Sequence, residues 1–178
     1  DLLVCGRRAG AHAAAYAKDL ATLPAVNPDQ VQEVQRTALA SFEDRGTENP
    51  YTVMQDLQTC MEANSGIVRE KAELERGLQE LQTLKRRAGK VQVEGTRHYN
   101  PGWHYANALR NLLIVSEAIT LSALHREESR GGHTRDDHPL SRPELERVNT
   151  VVRGRNGTMQ HEHVPRAAMP DELQRLLA

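Results

Sequence analysis

Apolar residues recur along most of this chain at intervals of three and four, the spacing that lines one face of an α-helix. Leu2, Leu3, Cys5, Ala9, Ala13, Tyr16 and Leu20 predict a helix over 1–22, stopped by Pro24. Gly6 and Gly10, four apart on one face, predict a close approach between helices. Val31, Val34, Ala38 and Phe42 form the stripe of a helix over 28–45, ended by Gly46. Val53 or Met54, Leu57, and Cys60 or Met61 line a helix over 50–63, and Asn64-Ser65-Gly66 stops it. Leu74, Leu78, Leu81, Leu84 and Ala88 line a helix over 69–92, with Glu73, Glu75, Arg76, Lys85 and Arg86 largely outside the stripe. This is a bundle helix, because a stand-alone coiled coil needs a longer run of heptads. The most apolar segment is 102–129, where Leu109, Leu112, Leu113, Ile114, Val115, Ile119, Leu121 and Leu124 cover more than one stripe. Burial on several sides, at the centre of a bundle, is the expectation. Arg110 and Glu117 interrupt it on one face, either to pair with neighbouring helices or to meet a partner surface.

Three Asn-Pro pairs, at 27–28, 49–50 and 100–101, mark helix starts. Asn caps the free N–H groups of a first turn, and Pro at the next position has no N–H to leave unpaired. After Gly131-Gly132 the pattern turns polar and irregular. Ser141-Arg142-Pro143-Glu144 has capping-box spacing and predicts a short helical turn. Val148–Arg153 reads as a strand, Asn156-Gly157 as a two-residue hairpin turn, and Met159–Val164 as the return strand. Pro170-Asp171-Glu172-Leu173 begins a short terminal helix. The predicted fold is mainly α: an up-and-down helical bundle, with a spectrin-repeat-like three-helix core and an irregular C-terminal tail containing a small β-hairpin. The bundle is expected over 1–132 and the polar loop, hairpin and terminal helix over 133–178, packed on it as one domain.

Composition agrees with helices. Aromatic residues are 3% of the 178 residues, so Leu, Ala and Val must supply the core. Lys plus Arg number 23 and Asp plus Glu 24, too even a balance to steer the molecule onto nucleic acid. No run of about 18 apolar residues offers a membrane span. Cys5 and Cys60 cannot by themselves build a disulfide scaffold or a four-ligand zinc site and read as ordinary buried thiols. The opening Asp1-Leu2-Leu3-Val4, inside an apolar segment, predicts a piece of a longer polypeptide.

Chemistry-bearing patterns are few. His133, Asp136, Asp137 and His138 share one loop but match no zinc or iron spacing, and Arg130 and Arg135 flank them. Charge-assisted hydrogen bonds, Arg to Asp and His to backbone, are expected there, and no metal. His161 and His163 fall on one face of a strand with Glu162 on the other, a solvated edge. No GxGxxG, phosphate loop or nucleophile-base motif occurs, so no catalytic, cofactor-binding or metal residue is assigned.

Several segments together resemble the succinate dehydrogenase/fumarate reductase flavoprotein family. Asp1-Leu2-Leu3-Val4-Cys5-Gly6-Arg7-Arg8-Ala9-Gly10 is similar to the segment leaving that family's flavin domain. Tyr99-Asn100-Pro101-Gly102-Trp103-His104 and Leu109-Arg110-Asn111-Leu112-Leu113 resemble the long helix of its C-terminal helical domain. Glu128-Ser129-Arg130-Gly131-Gly132-His133-Thr134-Arg135-Asp136-Asp137 resembles its Glu-Ser-Arg-Gly signature, and Met169-Pro170-Asp171-Glu172-Leu173 fits the tail of some bacterial members.

The resemblance implies a parent subunit with covalently bound FAD that interconverts succinate and fumarate. Electrons would pass from it to an iron–sulfur subunit, then to quinone. It implies partners in the FAD-binding domain, the iron–sulfur subunit, plus indirectly a membrane anchor, at the cytoplasmic face of the inner membrane. The resemblance puts the family's dinucleotide-binding and substrate residues in the part of the pattern that precedes Asp1, so no catalytic residue is carried over. Arg130, His133, Arg135, Asp136 and Asp137 are left as interface candidates, to fix the junction with the flavin domain or the iron–sulfur partner. The first helix would begin at the flavin, its N-terminal dipole favouring negative charge there. By itself this chain is expected to hold no FAD, to be inactive, and to self-associate through faces built for the flavin domain. L-aspartate oxidase, a relative sharing the signature, and an independent helical interaction module are the alternatives.

Overall fold

The computed structural model describes residues 2–43 and 46–176. Two compact units divide the chain, Asp1–Ala38 and Leu39–Ala178. The first holds α1 (Leu2–Asp19) and most of α2 (Pro28–Glu43). Asn27 caps α2, its side-chain oxygen accepting from the N–H groups of Asp29 and Gln30. The expected stripes of this unit stay uncovered: Leu2, Leu3, Tyr16, Val31 and Val34 are exposed, and so is Cys5. Within the unit no helix packs on Gly6 or Gly10, so the expected close approach is not made there. The helix expected over 1–22 ends at Asp19. Asp1 and the expected end of α2 at 44–45 lie outside the described residues.

The second unit is built on three consecutive helices, α3 (Pro50–Ser65), α4 (Lys71–Ala88) and α5 (Pro101–His125), each packed on the other two. Val53, Met54, Leu57 and Cys60 from α3, Leu81 and Leu84 from α4, and Leu109 and Leu113 from α5 form the core. These are the apolar positions that the helical spacing predicts. Gly77 lets α4 press against α3, since a Cβ there would stand 2.8 Å from the Asn64 Cβ. Buried Asn64 is fully engaged, donating to the Cys60 carbonyl and Glu80 and accepting from Arg76 Nε. Burial pushes the Cys60 thiol up to about 11, so it is an inert core group.

Polar ties fix the register. Glu117 of α5 accepts from Lys85 Nζ at 2.5 Å and Gln82 at 2.8 Å, both on α4. Arg87 holds Glu48 through Nε and Nη2 and reaches Asp56 with Nη1 at 2.7 Å. The helix expected to 92 ends at Ala88, because the chain turns extended there and zips onto a neighbour. Thr47 and Glu48 donate to the Lys90 carbonyl, Gln92 donates to Glu48, and Val91 and Val93 are buried.

Asn49 caps α3, accepting from the N–H groups of Tyr51 and Thr52. Asn100 departs from that pattern: it starts α5 with no side-chain cap and instead donates to the carbonyls of Glu94 and Thr96. Helix α5 stops at His125 rather than 129, and only one of its stripes is buried. Leu112, Ile114, Val115 and Ile119 are between 41% and 52% exposed, so the expected burial on several sides is not met within this unit.

Beyond the bundle, β1 (Val68–Arg69) pairs in parallel with β2 (Thr134–Arg135), a bridge with no sequence signal. The short helix α6 (Pro143–Glu146) has Arg142 at its N-cap position and no side-chain cap, so the Ser141 capping box does not form. Strands β3 (Val148–Arg155) and β4 (Thr158–Pro165) make the expected hairpin. Its turn is Asn156-Gly157, both at positive φ (51° and 75°), as a two-residue type I′ connection requires. Helix α7 (Asp171–Gln174) follows. Among the described residues no helix is long and apolar enough to cross a membrane.

Candidate functional site: the buried arginine–carboxylate knot after α5

The last turn of α5 leaves carbonyl groups without helical partners. Arg135 satisfies two of them from the following loop, donating Nη1 to the carbonyls of Ala123 (2.7 Å) and Leu124 (3.0 Å). Its remaining edge forms a bidentate pair with Asp137, 2.7 Å at both Nε and Nη2. Arg135 is 1% exposed, so the guanidinium is compensated entirely by protein groups. Asp137 also accepts from the N–H of Lys71, the first residue of α4, whose own N-cap residue, Glu70, supplies no side-chain cap. One ion pair thus closes the C-terminus of α5 and the N-terminus of α4, a carboxylate at the positive end and a cation at the negative end. The Arg135 guanidinium beside Asp137 outweighs burial and holds the carboxyl at about 2.

Glu128 is the second centre. It is fully buried and accepts from Arg126 Nη2 at 2.5 Å, Arg130 at 3.2 Å and the backbone N–H of Arg142 at 2.8 Å. Burial alone would raise its pKa, but Arg130, the Arg142 N–H and Arg126 together hold it at about 2. Arg130 also donates to the Arg142 carbonyl, tying the loop to the start of α6. The Ser129 hydroxyl bonds the His138 carbonyl at 2.9 Å and accepts from the Arg135 N–H.

His133 lies between two fixed groups. Its Nδ1 faces Arg69 Nη1 at 2.9 Å and its Nε2 faces the Arg126 carbonyl at 2.9 Å. An arginine can only donate, so Nδ1 accepts and Nε2 carries the proton that the carbonyl receives. Burial and the three guanidinium groups of Arg69, Arg135 and Arg126 lower its pKa and keep the ring neutral, against the pull of that carbonyl. Backbone bonds between Arg130 and His133 close the turn around Gly131, which sits at φ 59°.

Four of the five interface candidates, Arg130, His133, Arg135 and Asp137, therefore belong to one internal network. Asp136 is exposed and engages through its backbone N–H, which donates to the Arg69 carbonyl. The charge-assisted loop that the sequence predicts is present. Glu128, Arg69, Arg126 and Arg142 were missed. Carboxylates between Arg126 and Arg130 were the available signal, but nothing local says that Glu128 rather than Glu127 turns inward, and nothing local points to Arg69. Among the described residues no three His, Cys, Asp or Glu side chains converge as metal ligands.

An open groove of about 800 Å³ runs beside this network, between the exposed stripe of α5 and the base of β3. Ile114, Ile119, Arg126, His133 and Thr150 are among its lining residues.

Comparison with known proteins places this architecture. The family model described as fumarate reductase flavoprotein C-term matches residues 54–171, from within α3 to the start of α7. The succinate dehydrogenase flavoprotein subunit of Coxiella burnetii is 32% identical over 139 residues, 78% of this chain and 24% of that protein. The fumarate reductase flavoprotein subunit of Mycobacterium tuberculosis H37Rv is 32% identical over 173 residues, 93% of this chain and 30% of that protein. The solved Sdh1 complex of Mycobacterium smegmatis in its apo form superposes with a TM-score of 0.83 at 44% identity, covering 92% of this chain and 28% of that one. This chain spans less than a third of the length of these relatives. With all but the first turn of the three-helix core, the hairpin and the signature loop inside the matched region, this chain belongs to the fumarate reductase flavoprotein C-terminal family.

Proposed function

We propose that this chain acts as the supporting C-terminal domain of a flavoprotein subunit that interconverts succinate and fumarate and passes electrons to an iron–sulfur subunit. The observation that carries the reading is the family match over 54–171, which contains the whole Arg135–Glu128 knot. FAD in such a flavoprotein supplies hydride exchange with the substrate. The described residues here do not form a cradle for it. Both sheets are two-stranded, and no glycine-rich turn joins a strand to a helix around a phosphate site. We place the flavin-binding fold in another part of the subunit and assign this chain's residues no chemical step.

Their task is mechanical. The α3–α5 bundle is a rigid block, and the knot clamps two helix ends so that the loop presents a fixed surface. Arg130 (34% exposed at its side chain) and exposed Asp136 are the parts of the knot that can meet a partner, either the flavin domain or the iron–sulfur subunit. Assembly at the cytoplasmic face of the inner membrane, through those partners, belongs to the same proposal.

The test is direct. The native polypeptide carrying this chain should show bound flavin and reduce fumarate or oxidise succinate. Turnover of L-aspartate instead would assign it to aspartate oxidase, and absence of flavin would overturn the reading. Arg130→Ala in that polypeptide should weaken assembly or flavin retention, and wild-type behaviour would remove the interface role of the loop.

A further inference from the structure

We propose that the stacked cluster of His125, His161 and His163 forms an acid-sensitive latch that holds the β3–β4 ribbon on α5 at neutral pH and lets it go as the pH falls. His125 is the last residue of α5. The His161 ring of β4 lies flat on it, with centroids 3.3 Å apart and an interplanar angle of 13°. His163 stands edge-on to His161 at 6.1 Å. The three rings come from segments more than thirty residues apart in sequence, so the fold alone assembles them.

The ribbon has few other holds on the helix. Within the ribbon Arg153 pairs with Glu162 and Thr158 bonds the Arg155 carbonyl, and the base of the ribbon is tied elsewhere than to His125. Arg166 donates to the carbonyls of Arg147 and Glu146. Opposite His161 and His163 in the hairpin register stand Val152 and Thr150, both uncharged. The Thr150 hydroxyl is buried with no partner, a weak point of the same seam. Glu162 points to the other face and pairs with Arg153. The nearby Arg126 side chain is committed to Glu128 and the Leu145 carbonyl. Glu127, itself paired with Arg142 at 3.3 Å, has a charge that favours a proton on His125.

Neutral stacked rings attract by dispersion, whereas protons on both put two like charges face to face in a partly desolvated seam. Burial, then the neighbouring His161 and His163, lower the pKa of His125 from its ordinary 6.5. The sign follows: a histidine with a lowered folded pKa stabilises the docked state above 6.5 and loses that contribution as the pH falls below it. Release of the ribbon would open the groove between α5 and β3.

Imidazole NMR titration and amide hydrogen exchange of this 178-residue chain, at about pH 7.5 and about pH 5.5, test the latch. His125 should titrate below 6.5. After correction for intrinsic rates, the β3–β4 amides should exchange about fivefold faster or more at the lower pH, with the α3–α5 core amides unchanged. The variant His125→Phe with His161→Phe keeps an aromatic stack without the protons and should abolish the difference. Equal protection of the ribbon at both pH values, or a dependence that survives in this variant, overturns the proposal. Should the double variant misfold, the wild-type titration decides alone: His125 titrating at or above 6.5 refutes the latch.

Discussion

Glu128 and Arg135 show how a buried charge can define a site without doing chemistry. Each is surrounded by groups that satisfy it, so the knot tolerates no loss of a member. Glu128→Ala leaves Arg126 and Arg130 without their carboxylate, each keeping only a backbone carbonyl. Because both can turn toward water, the cost should fall at the lower end for a broken buried pair, about 3 kcal/mol, measurable by urea denaturation. The same carboxylates set an acid limit. Glu128 and Asp137 both sit near 2, below their ordinary values of 4.5 and 3.8. A carboxyl with a lowered folded pKa stabilises above its unfolded value and loses that contribution as the pH falls toward the folded one. Melting temperature should therefore drop between about pH 5 and about pH 2, and Glu128→Gln should flatten part of that slope. His133 lay in the sequence as a candidate, but its role was hidden because Arg69, its partner, is 64 positions away.

At the scale of elements, three identical Asn-Pro pairs give two mechanisms. Asn27 and Asn49 close first turns, while Asn100 reaches back to hold the loop before α5. Asn49→Ala should cost about 1 kcal/mol, the usual worth of a lost N-cap. Asn100→Ala should leave the start of α5 in place and loosen residues 94–99 instead, visible as faster amide exchange confined to that loop. Helix starts and the hairpin turn were legible because they depend on local φ preferences. Helix ends were not: α4 and α5 both stop early, where Lys90 meets the 46–48 segment and where Arg135 takes the carbonyls of Ala123 and Leu124. Those partners are tens of residues away or in the following loop, beyond any reading of periodicity.

For the molecule as a whole, the exposed face of α5 is the feature with a consequence in solution. Leu112, Ile114, Val115 and Ile119 give a helix that is packed on one side and apolar on another. This chain should therefore self-associate, with a sedimentation coefficient that rises with concentration. Replacing Ile114 and Ile119 together by Lys should shift it toward the monomer without lowering helix content, since neither is in the core.

The class of the fold, the existence and order of the long helices, the hairpin with its Asn156-Gly157 turn and, through the signature, the family can all be read from the order of residues alone. These rest on spacing, capping and turn preferences that act over a few residues. Which stripe of α5 is buried, which charges are internal and which histidines touch emerge only once the chain is folded. Each of those depends on groups distant in sequence meeting in a place where water no longer competes for them.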